Sequence, residues 1–364
     1  MKTGENLIRI ENVTKRFGNF TAINHVSLDI PKGQFTTLLG PSGCGKTTLM
    51  RLIAGFHEPD EGNIYIDGNK INGIPAYKRN TPLVFQDYAL FPHMTVFENI
   101  SYGLKLMKTP SKQISEKVQS MLEMFGLQGM ENRYPKQLSG GQQQRVAFAR
   151  ALIIGKSILL MDEPLSNLDA KMRVEVRNEL RALQQRTGIT AIFVTHDQDE
   201  ALSLSDKIAV FNRGEILQVG SPWEVYFKPG SKFVADFVGV ANFLEGEVAA
   251  VEEQDIFVKC QELLIKVGKS DYSLQKGDKV TLVIRPECIA ISAGAEGMKE
   301  ADNVLKGVIQ KSSFLGRMIR YWVEVDSMLW TVDDANPSRT GHLEGFAQIA
   351  LDKSKIHILP KFDN

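Results

Sequence analysis

The chain has 364 residues, of which 43% are hydrophobic, and this length and composition predict two or three folded domains with large buried cores. Lysine plus arginine and aspartate plus glutamate both number 43, so the net charge is zero and nucleic acid is not an expected partner. Cys44, Cys260 and Cys288 lie far apart with no C-x-x-C pair, which argues against a disulfide framework or a zinc site and favours reducing, cytosolic surroundings.

The N-terminus has no apolar segment of the kind found in signal peptides. The most apolar runs, such as residues 151–161, are short and interrupted by glycine and lysine. We therefore expect a chain that is neither exported nor membrane-spanning. Any association with a membrane would require binding to a protein embedded there.

The first chemical motif along the chain is G-x-x-x-x-G-K-[ST] at residues 40–47, between an apolar strand and a helical pattern. In such a P-loop the glycines let backbone N–H groups surround phosphate. Lys46 supplies a positive charge to the outer phosphates, and Thr47 offers its hydroxyl to Mg²⁺. An incidental glycine turn is the alternative interpretation.

Three later apolar runs alternate with helical segments, which is typical of buried parallel strands. They cover residues 81–86, 157–164 and 189–197. The polar residues at their ends are Gln86, Asp162, Glu163 and His196. Because ligands bind at the carboxyl ends of parallel strands, we expect all of these residues to face the P-loop. Asp162 is the type of acid that holds Mg²⁺, and Glu163 could accept a proton from an attacking water.

A second possible phosphate-binding segment lies at residues 136–152. Ser139 is a favourable N-cap for a helix, but Gly140 and Gly141 each cost about 1 kcal/mol relative to alanine in a helix. Bare glycines after a cap leave N–H groups uncovered at the positive end of the helix dipole, where proteins bind phosphate. The chain therefore has two candidate phosphate sites.

Several motifs, "GPSGCGKTT", "LSGGQ", "ILLMDEP", "SNLD" and "VTHD", together resemble ATP-binding cassette ATPases over roughly residues 7–235. The resemblance implies an α/β P-loop NTPase core with a RecA-like sheet in residues 1–237. It implies a helical subdomain at about residues 87–150, and ATP and Mg²⁺ as cofactors. The pattern of residues 111–127 independently favours a helix in that insert.

The resemblance also implies roles for individual residues. Glu163 would be the general base, His196 would contact the terminal phosphate, and Asp169 would reach across a dimer interface. The expected catalytic residues are Glu163, His196, Lys46 and Gln86, and the expected metal ligands are Thr47, Gln86 and Asp162. The expected nucleotide-binding residues are Phe17, Gly40, Pro41, Ser42, Gly43, Cys44, Gly45, Lys46, Thr47, Thr48, Ser139, Gly140, Gly141, Gln142 and Asp169.

Two of these positions have an alternative interpretation. Phe17 would stack on adenine, but it could be a hydrophobic residue held between two strands. Cys44 could be an oxidation target, since a helix N-terminus lowers a thiol pKa, but it could also be only a small residue that fits.

In the family, two chains pack head to tail, and each nucleotide lies between the P-loop of one chain and the "SGGQ" segment of the other. That arrangement would explain two phosphate sites on one polypeptide. Binding of a single ATP by both segments of the same chain is the alternative.

After residue 242 the pattern changes to short alternating runs separated by glycine and polar turns, which predicts a small all-β domain at 238–364. "FLEGEVAAV" and "VLKGVIQKS" form a weak internal repeat. The layout resembles the paired oligonucleotide-binding-like barrels of importer ATPases, called the TOBE domain. We expect a dimer-stabilising or regulatory role for it, and no binding of nucleic acid.

These observations favour the ATPase subunit of a bacterial importer, a homodimer on the cytoplasmic face of a membrane permease that works with an extracellular or periplasmic solute-binding protein. The resemblance is to the polyamine, ferric-iron and phosphonate branch. Tyr88, Leu90, Phe91 and Met94 would form the permease docking surface, with local core packing as the alternative. The alternative functions are a soluble cassette ATPase of translation or DNA repair, and one with a solute-sensing regulatory tail.

Overall fold

The computed structural model describes residues 6–293, 301–337 and 341–361. The chain forms two compact units, Met1–Trp223 and Glu224–Asn364. Strands alternate with helices in the first unit, whereas strands dominate the second. The predicted fold class, an α/β core followed by an all-β domain, is confirmed. No helix in the described ranges is long and apolar enough to span a membrane.

The first unit contains two sheets with helices between their strands. In chain order the strands are β1 (Asn6–Phe17), β2 (Phe20–Pro31), β3 (Phe35–Leu39), β4 (Glu61–Ile66), β5 (Asn69–Lys70), β6 (Leu83–Val84), β7 (Ile158–Asp162), β8 (Thr190–Thr195), β9 (Lys207–Asn212) and β10 (Glu215–Gly220). The helices are α1 (Lys46–Ala54), α2 (Val96–Leu106), α3 (Ser111–Met124), α4 (Gly140–Leu152), α5 (Ala170–Thr187) and α6 (Gln198–Leu204).

The larger sheet has the order β10-β9-β3-β8-β7-β6. All neighbours from β9 to β6 are parallel, and β10 is an antiparallel edge strand. Every residue of β3, β7 and β8 is buried, as expected of parallel strands covered on both faces. β6 has only two residues and is therefore shorter than the run that predicted it.

The smaller sheet is antiparallel with the order β2-β1-β4-β5. One hydrophobic cluster joins it to α1 and to the parallel sheet. Its fully buried members include Ile8 of β1, Leu38 of β3 and Leu49 of α1. Burial of such side chains contributes about 1.5 to 3 kcal/mol each, so this cluster holds the strand before the P-loop and the helix after it in place.

Helices α2, α3 and α4 share a cluster of their own. Ile100 of α2, Val118 of α3 and Val146 of α4 are fully buried in it. The opposite face of α4 belongs to the core around the parallel sheet, where Phe148 packs with residues of α5, β7 and β8. The helix that follows the "LSGG" segment is therefore part of two cores at once.

The second unit consists mainly of strands. After the short helices α7 (Pro222–Phe227) and α8 (Lys232–Val238), its strands are β11 (Asn242–Val251), β12 (Asp255–Cys260), β13 (Leu263–Gly268), β14 (Lys279–Ile284), β15 (Ile289–Ser292), β16 (Asn303–Phe314), β17 (Ile319–Val325), β18 (Met328–Asp334), β19 (Phe346–Leu351) and β20 (Ile356–Pro360). They form two antiparallel sheets, β13-β12-β11-β14-β20 and β15-β19-β16-β17-β18, over one shared core.

The internal repeat corresponds to equivalent strands, because β11 and β16 each lie at the centre of one sheet. Each begins with a buried asparagine that bonds to the third strand of the other half. Asn242 Nδ2 donates to the Thr331 carbonyl at 2.8 Å, and its Oδ1 accepts from the Thr331 N–H at 2.7 Å. Asn303 makes the same pair of bonds with Lys266, at 2.8 and 2.7 Å. The two halves are thus joined reciprocally.

The division between the units precedes the boundary that we predicted after residue 237. Arg285 provides the physical reason. Its buried guanidinium donates hydrogen bonds of 2.8 to 3.1 Å to four carbonyls of the segment before β11. These carbonyls belong to Tyr226, Ala235, Gly239 and Val240. Residues 224–240 are therefore attached to the β unit.

We predict that Arg285→Met lowers the free energy of unfolding of the second unit by about 3 kcal/mol, because it leaves buried carbonyls without donors. Urea unfolding followed by tryptophan fluorescence tests this in a Trp223→Phe background, where the remaining tryptophans all lie in the second unit. Arg317→Met is the control, since Arg317 is exposed. Equal stability of the two variants would contradict the role of Arg285.

Candidate nucleotide site

The P-loop packs closely against the core on one side and is open on the other. A Cβ at Gly40 would lie 2.4 Å from the Phe211 carbonyl oxygen, and one at Gly45 would lie 2.5 Å from that of Ala22. Gly43 also has a left-handed backbone, with φ at 78°, but nothing lies within 4 Å of its Cβ position. Glycine is therefore required by packing at two positions and by the turn at the third.

Lys46 is the first residue of α1, and its side chain is buried inside the loop. The ammonium donates to the Gly40 carbonyl at 2.7 Å and to the Pro41 carbonyl at 2.8 Å. These bonds fix a positive charge within the curve of the loop. A phosphate bound by the loop would lie close to that charge.

Thr47 and Asp162 form the second element of the site. The Thr47 hydroxyl donates to Asp162 Oδ1 at 2.9 Å, which joins the start of α1 to the end of β7. Burial raises the pKa of Asp162, although the Thr47 hydrogen bond and the charge of Arg51 oppose this. A hydroxyl and a carboxylate side by side are hard oxygen ligands of the kind that Mg²⁺ prefers, so these residues fit that ion.

Glu163 and His196 form the third element. Glu163 Oε1 and His196 Nδ1 are 3.2 Å apart. Glu163 has a left-handed backbone, φ 44°, which is unfavourable for a residue other than glycine. Its N–H donates to the Val194 carbonyl at 3.0 Å, and its own carbonyl accepts from the Ser166 hydroxyl at 2.9 Å. Such strain persists where surrounding bonds enforce it, and it is concentrated at functional sites.

The parallel sheet therefore brings the P-loop, Asp162, Glu163 and His196 to one edge, as their positions at strand ends predicted. Their catalytic roles remain predictions.

Gln86 lies two residues after β6 and is exposed. Its carbonyl accepts from Asn167 Nδ2 at 2.9 Å. Tyr88 and Ala89, which follow, have left-handed backbones, and Arg150 of α4 donates to both of their carbonyls at 2.8 and 2.7 Å. Sequence reasoning missed Asn167 and Arg150, because no local pattern shows that their side chains reach residues more than sixty positions away.

The apolar residues after Gln86 favour the core-packing alternative. Tyr88 is only 5% exposed and packs in the cluster around the parallel sheet. Leu90 packs against two clusters, and the ring of Phe91 lies 4.7 Å from that of Tyr102. Met94 is half-buried. An interaction surface in this segment would therefore consist mainly of its exposed residues, which are Asp87, Ala89, Pro92 and His93.

The "LSGG" segment begins α4 as predicted, but with fewer free N–H groups than we expected. Ser139 and Gln142 form a reciprocal cap: Ser139 Oγ accepts from the Gln142 N–H at 3.3 Å, and Gln142 Oε1 accepts from the Ser139 N–H at 3.0 Å. Gly141 is buried, and a Cβ there would lie 2.3 Å from Met172 Cε. Gly140 is exposed and has room. A side chain at position 141 would therefore require the end of the Met172 side chain to move.

Asp169 and Phe17 both make contacts within this chain. Asp169 caps α5, since its Oδ1 accepts from the Met172 N–H at 2.8 Å. Phe17 ends β1 with 45% of its surface exposed, and its ring contacts His57 edge-on at 5.3 Å. A phenylalanine held between two strands would be buried, so the exposed ring disfavours that alternative.

Cys44 lies in the P-loop with its thiol buried. Burial raises the pKa of the thiol, although the Lys46 ammonium beside it acts in the opposite direction. The net direction is the opposite of that found in reactive cysteines, so the small-residue interpretation is favoured.

Comparison with known proteins identifies the family. A model described as "ABC transporter" matches residues 23–166, and one described as "TOBE domain" matches residues 282–344. The spermidine/putrescine import ATP-binding protein PotA of Thermotoga maritima is 46% identical over 88% of this chain and 87% of its own length. The chain belongs to the ATP-binding cassette transporter family. It is an ATPase of that family and carries a TOBE domain.

Other relatives agree with this assignment. PotA of Acetivibrio thermocellus is 44% identical over 98% of this chain and 97% of its own length. The Fe(3+) ions import ATP-binding protein FbpC of Rhizobium etli is 48% identical over 90% and 91%. The relatives are therefore ATP-binding subunits of polyamine and ferric-iron importers.

Two solved structures of transporter cassettes are each similar to about three fifths of the chain. CbiO1 of Clostridium perfringens, part of the transporter complex cbiONQ, superimposes with a TM-score of 0.58 and 29% identity over 64% of this chain and 93% of its own. The cassette MJ0796, solved as a dimer after hydrolysis with ADP and Pi bound, gives 0.53 and 33% over 59% and 98%.

We predict that the Cys44 thiol resists alkylation in the folded protein. Its raised pKa keeps it protonated at and above the pH at which an ordinary thiol ionises, so reactive thiolate accumulates only at still higher pH. The measurement is the rate of iodoacetamide labelling in a Cys260→Ala/Cys288→Ala background, between pH 7 and 10. Labelling should be at least about tenfold faster after unfolding. Equal rates in the folded and unfolded protein would contradict the prediction.

Proposed function

We propose that this chain is the ATP-hydrolysing subunit of a bacterial importer and acts as a homodimer on the cytoplasmic face of a membrane permease. The observation that carries the proposal is the pairing of Thr47 with Asp162 and of Glu163 with His196 beside the P-loop. The names of the relatives support the import function.

In the proposed site, residues 40–48 bind the phosphates through backbone N–H groups, and Lys46 neutralises their charge. Mg²⁺ would be held by Thr47 and Asp162, with Gln86 as a further ligand, and would neutralise charge on the phosphates. Glu163 accepts the proton of the attacking water. His196 lies close enough to Glu163 to orient its carboxylate, and it would contact the terminal phosphate.

The adenine and the partner chain complete the site. The exposed ring of Phe17 stacks on the base, as its free surface allows. Ser139, Gly140, Gly141 and Gln142 bind the nucleotide held by the other chain of the dimer. The exposed Gly140 and the positive end of the α4 dipole support this role.

For the solute, we infer a polyamine. The PotA relative that aligns over 98% of this chain carries that specificity in its name, and ferric iron is the second candidate because of FbpC. A solute-binding protein outside the membrane would deliver the solute to the permease. Uptake of labelled spermidine or ferric iron by cells with and without this chain distinguishes the two.

We predict that Glu163→Gln binds ATP, loses turnover by about 10²-fold or more, and accumulates as a nucleotide-bridged dimer. The amide preserves the shape of the side chain but cannot accept the proton. Phosphate release and size-exclusion chromatography with ATP measure the two effects. Glu175→Gln is the control, because Glu175 is exposed on α5. Undiminished hydrolysis by Glu163→Gln would contradict the assignment of Glu163 as the general base.

A mixing experiment tests whether the site is shared between chains. Lys46→Ala lacks a working P-loop, and Ser139→Arg lacks a working "SGGQ" segment. If the site is composite, an equimolar mixture contains heterodimers with one intact site, and about a quarter of wild-type hydrolysis should return. If both segments of one chain bind one ATP, the mixture will be no more active than either parent.

A further inference from the structure

Arg173, on the first turn of α5, connects two segments that flank the site. Its Nη2 donates to the Leu168 carbonyl at 3.2 Å, within the "SNLD" segment at residues 166–169. Its Nη1 donates to Asp197 Oδ2 at 3.3 Å, directly after His196. The side chain is one-third exposed, so water weakens these contacts only in part.

The third nitrogen of Arg173 faces Glu200. Nε lies 3.8 Å from Glu200 Oε1, which is too long for a hydrogen bond, and Nε has no other acceptor within the described residues. Glu200 is buried, and its Oε2 accepts from the Thr195 hydroxyl at 2.5 Å. A shift of about 1 Å would bring Nε to hydrogen-bond length.

Two backbone N–H groups form further hydrogen bonds that close the loop carrying His196. The Asp197 N–H donates to Thr195 Oγ1 at 3.0 Å, so the neighbours of His196 are bonded to each other. Asp197 Oδ1 accepts from the Glu200 N–H at 3.0 Å and caps α6. Asp197, in this loop, and Glu200, on α6, both face Arg173. The backbone position of His196 is therefore fixed by residues that in turn contact the Arg173 guanidinium on α5.

We propose that Arg173 is a positioning residue that holds His196 against Glu163 and transmits displacements of residues 166–169 to it. The inference rests on the proposed roles of Glu163 and His196. Asp169 lies in the same segment and is expected to reach the partner chain, so Arg173 would link the dimer contact to the geometry of hydrolysis. Its effect is on the chemical step, and the P-loop binds ATP without it.

The test compares variants that change one contact each. Arg173→Met removes the guanidinium but keeps the length of the side chain. Asp197→Asn keeps the cap of α6, since asparagine is also a good cap, but weakens the ion pair. Arg177→Met is the matched control: it lies one turn further along α5, and no ion pair joins it to another described residue.

We expect Arg173→Met to lower kcat about tenfold or more and to leave KM for ATP within about twofold, because misplaced groups impair the chemical step. Asp197→Asn should show a smaller loss of the same kind. The double variant should lose no more than Arg173→Met alone, since both changes break one linkage. Arg173→Lys should recover part of kcat. Arg177→Met should retain wild-type kinetics.

Unchanged kcat in Arg173→Met, or a rise in KM with kcat preserved, would overturn the inference. If Arg173→Met does not fold, Asp197→Asn decides by the same criterion. A different result would contradict the proposed function, namely full ATPase activity in Glu163→Gln. The two proposals can therefore fail independently. In Glu163→Gln/Arg173→Met, ATP-dependent dimerisation should persist, and its loss would instead assign Arg173 to dimer assembly and overturn the positioning role.

Discussion

The parallel pairing of β3, β8 and β7 is the constraint on which the site depends. These strands are buried along their whole length, and their charged side chain, Asp162, lies where β7 ends. Parallel direction places all those ends at one edge of the sheet. The bond between Thr47 and Asp162, and the contact between Glu163 and His196, follow from this arrangement.

The helix α4 links that edge to the rest of the first unit. One of its faces packs with α2 and α3 and the other with the core of the parallel sheet, so a movement of the helical insert must alter both clusters. Arg150, on this helix, donates hydrogen bonds to the segment after Gln86. Asn167, in the segment after Glu163, donates one to the Gln86 carbonyl. The elements proposed to contact the partner chain and the permease are thus bonded to the elements proposed to perform hydrolysis.

The second unit shows the same reliance on a few buried polar groups. Asn242 and Asn303 join its halves by equivalent hydrogen bonds, and Arg285 holds the chain segment that leads into it. Buried polar groups that are fully hydrogen-bonded specify one arrangement of packed strands, whereas apolar contacts alone would tolerate several. The internal repeat in sequence is therefore preserved in strand order and in its buried asparagines.

The sequence by itself determined the local features: the P-loop, the buried strands, the cap at Ser139 and the change to an all-β pattern. Periodicity and motif spacing encode these features, because each depends on neighbouring residues. Only the tertiary structure decided that Tyr88 is buried, that Gly141 packs against Met172, and that Arg150, Arg173 and Arg285 act across long separations. A long arginine side chain can bond to carbonyls or acids almost anywhere within its reach. Its partner is therefore set by the packing of whole elements and leaves no local trace in the sequence.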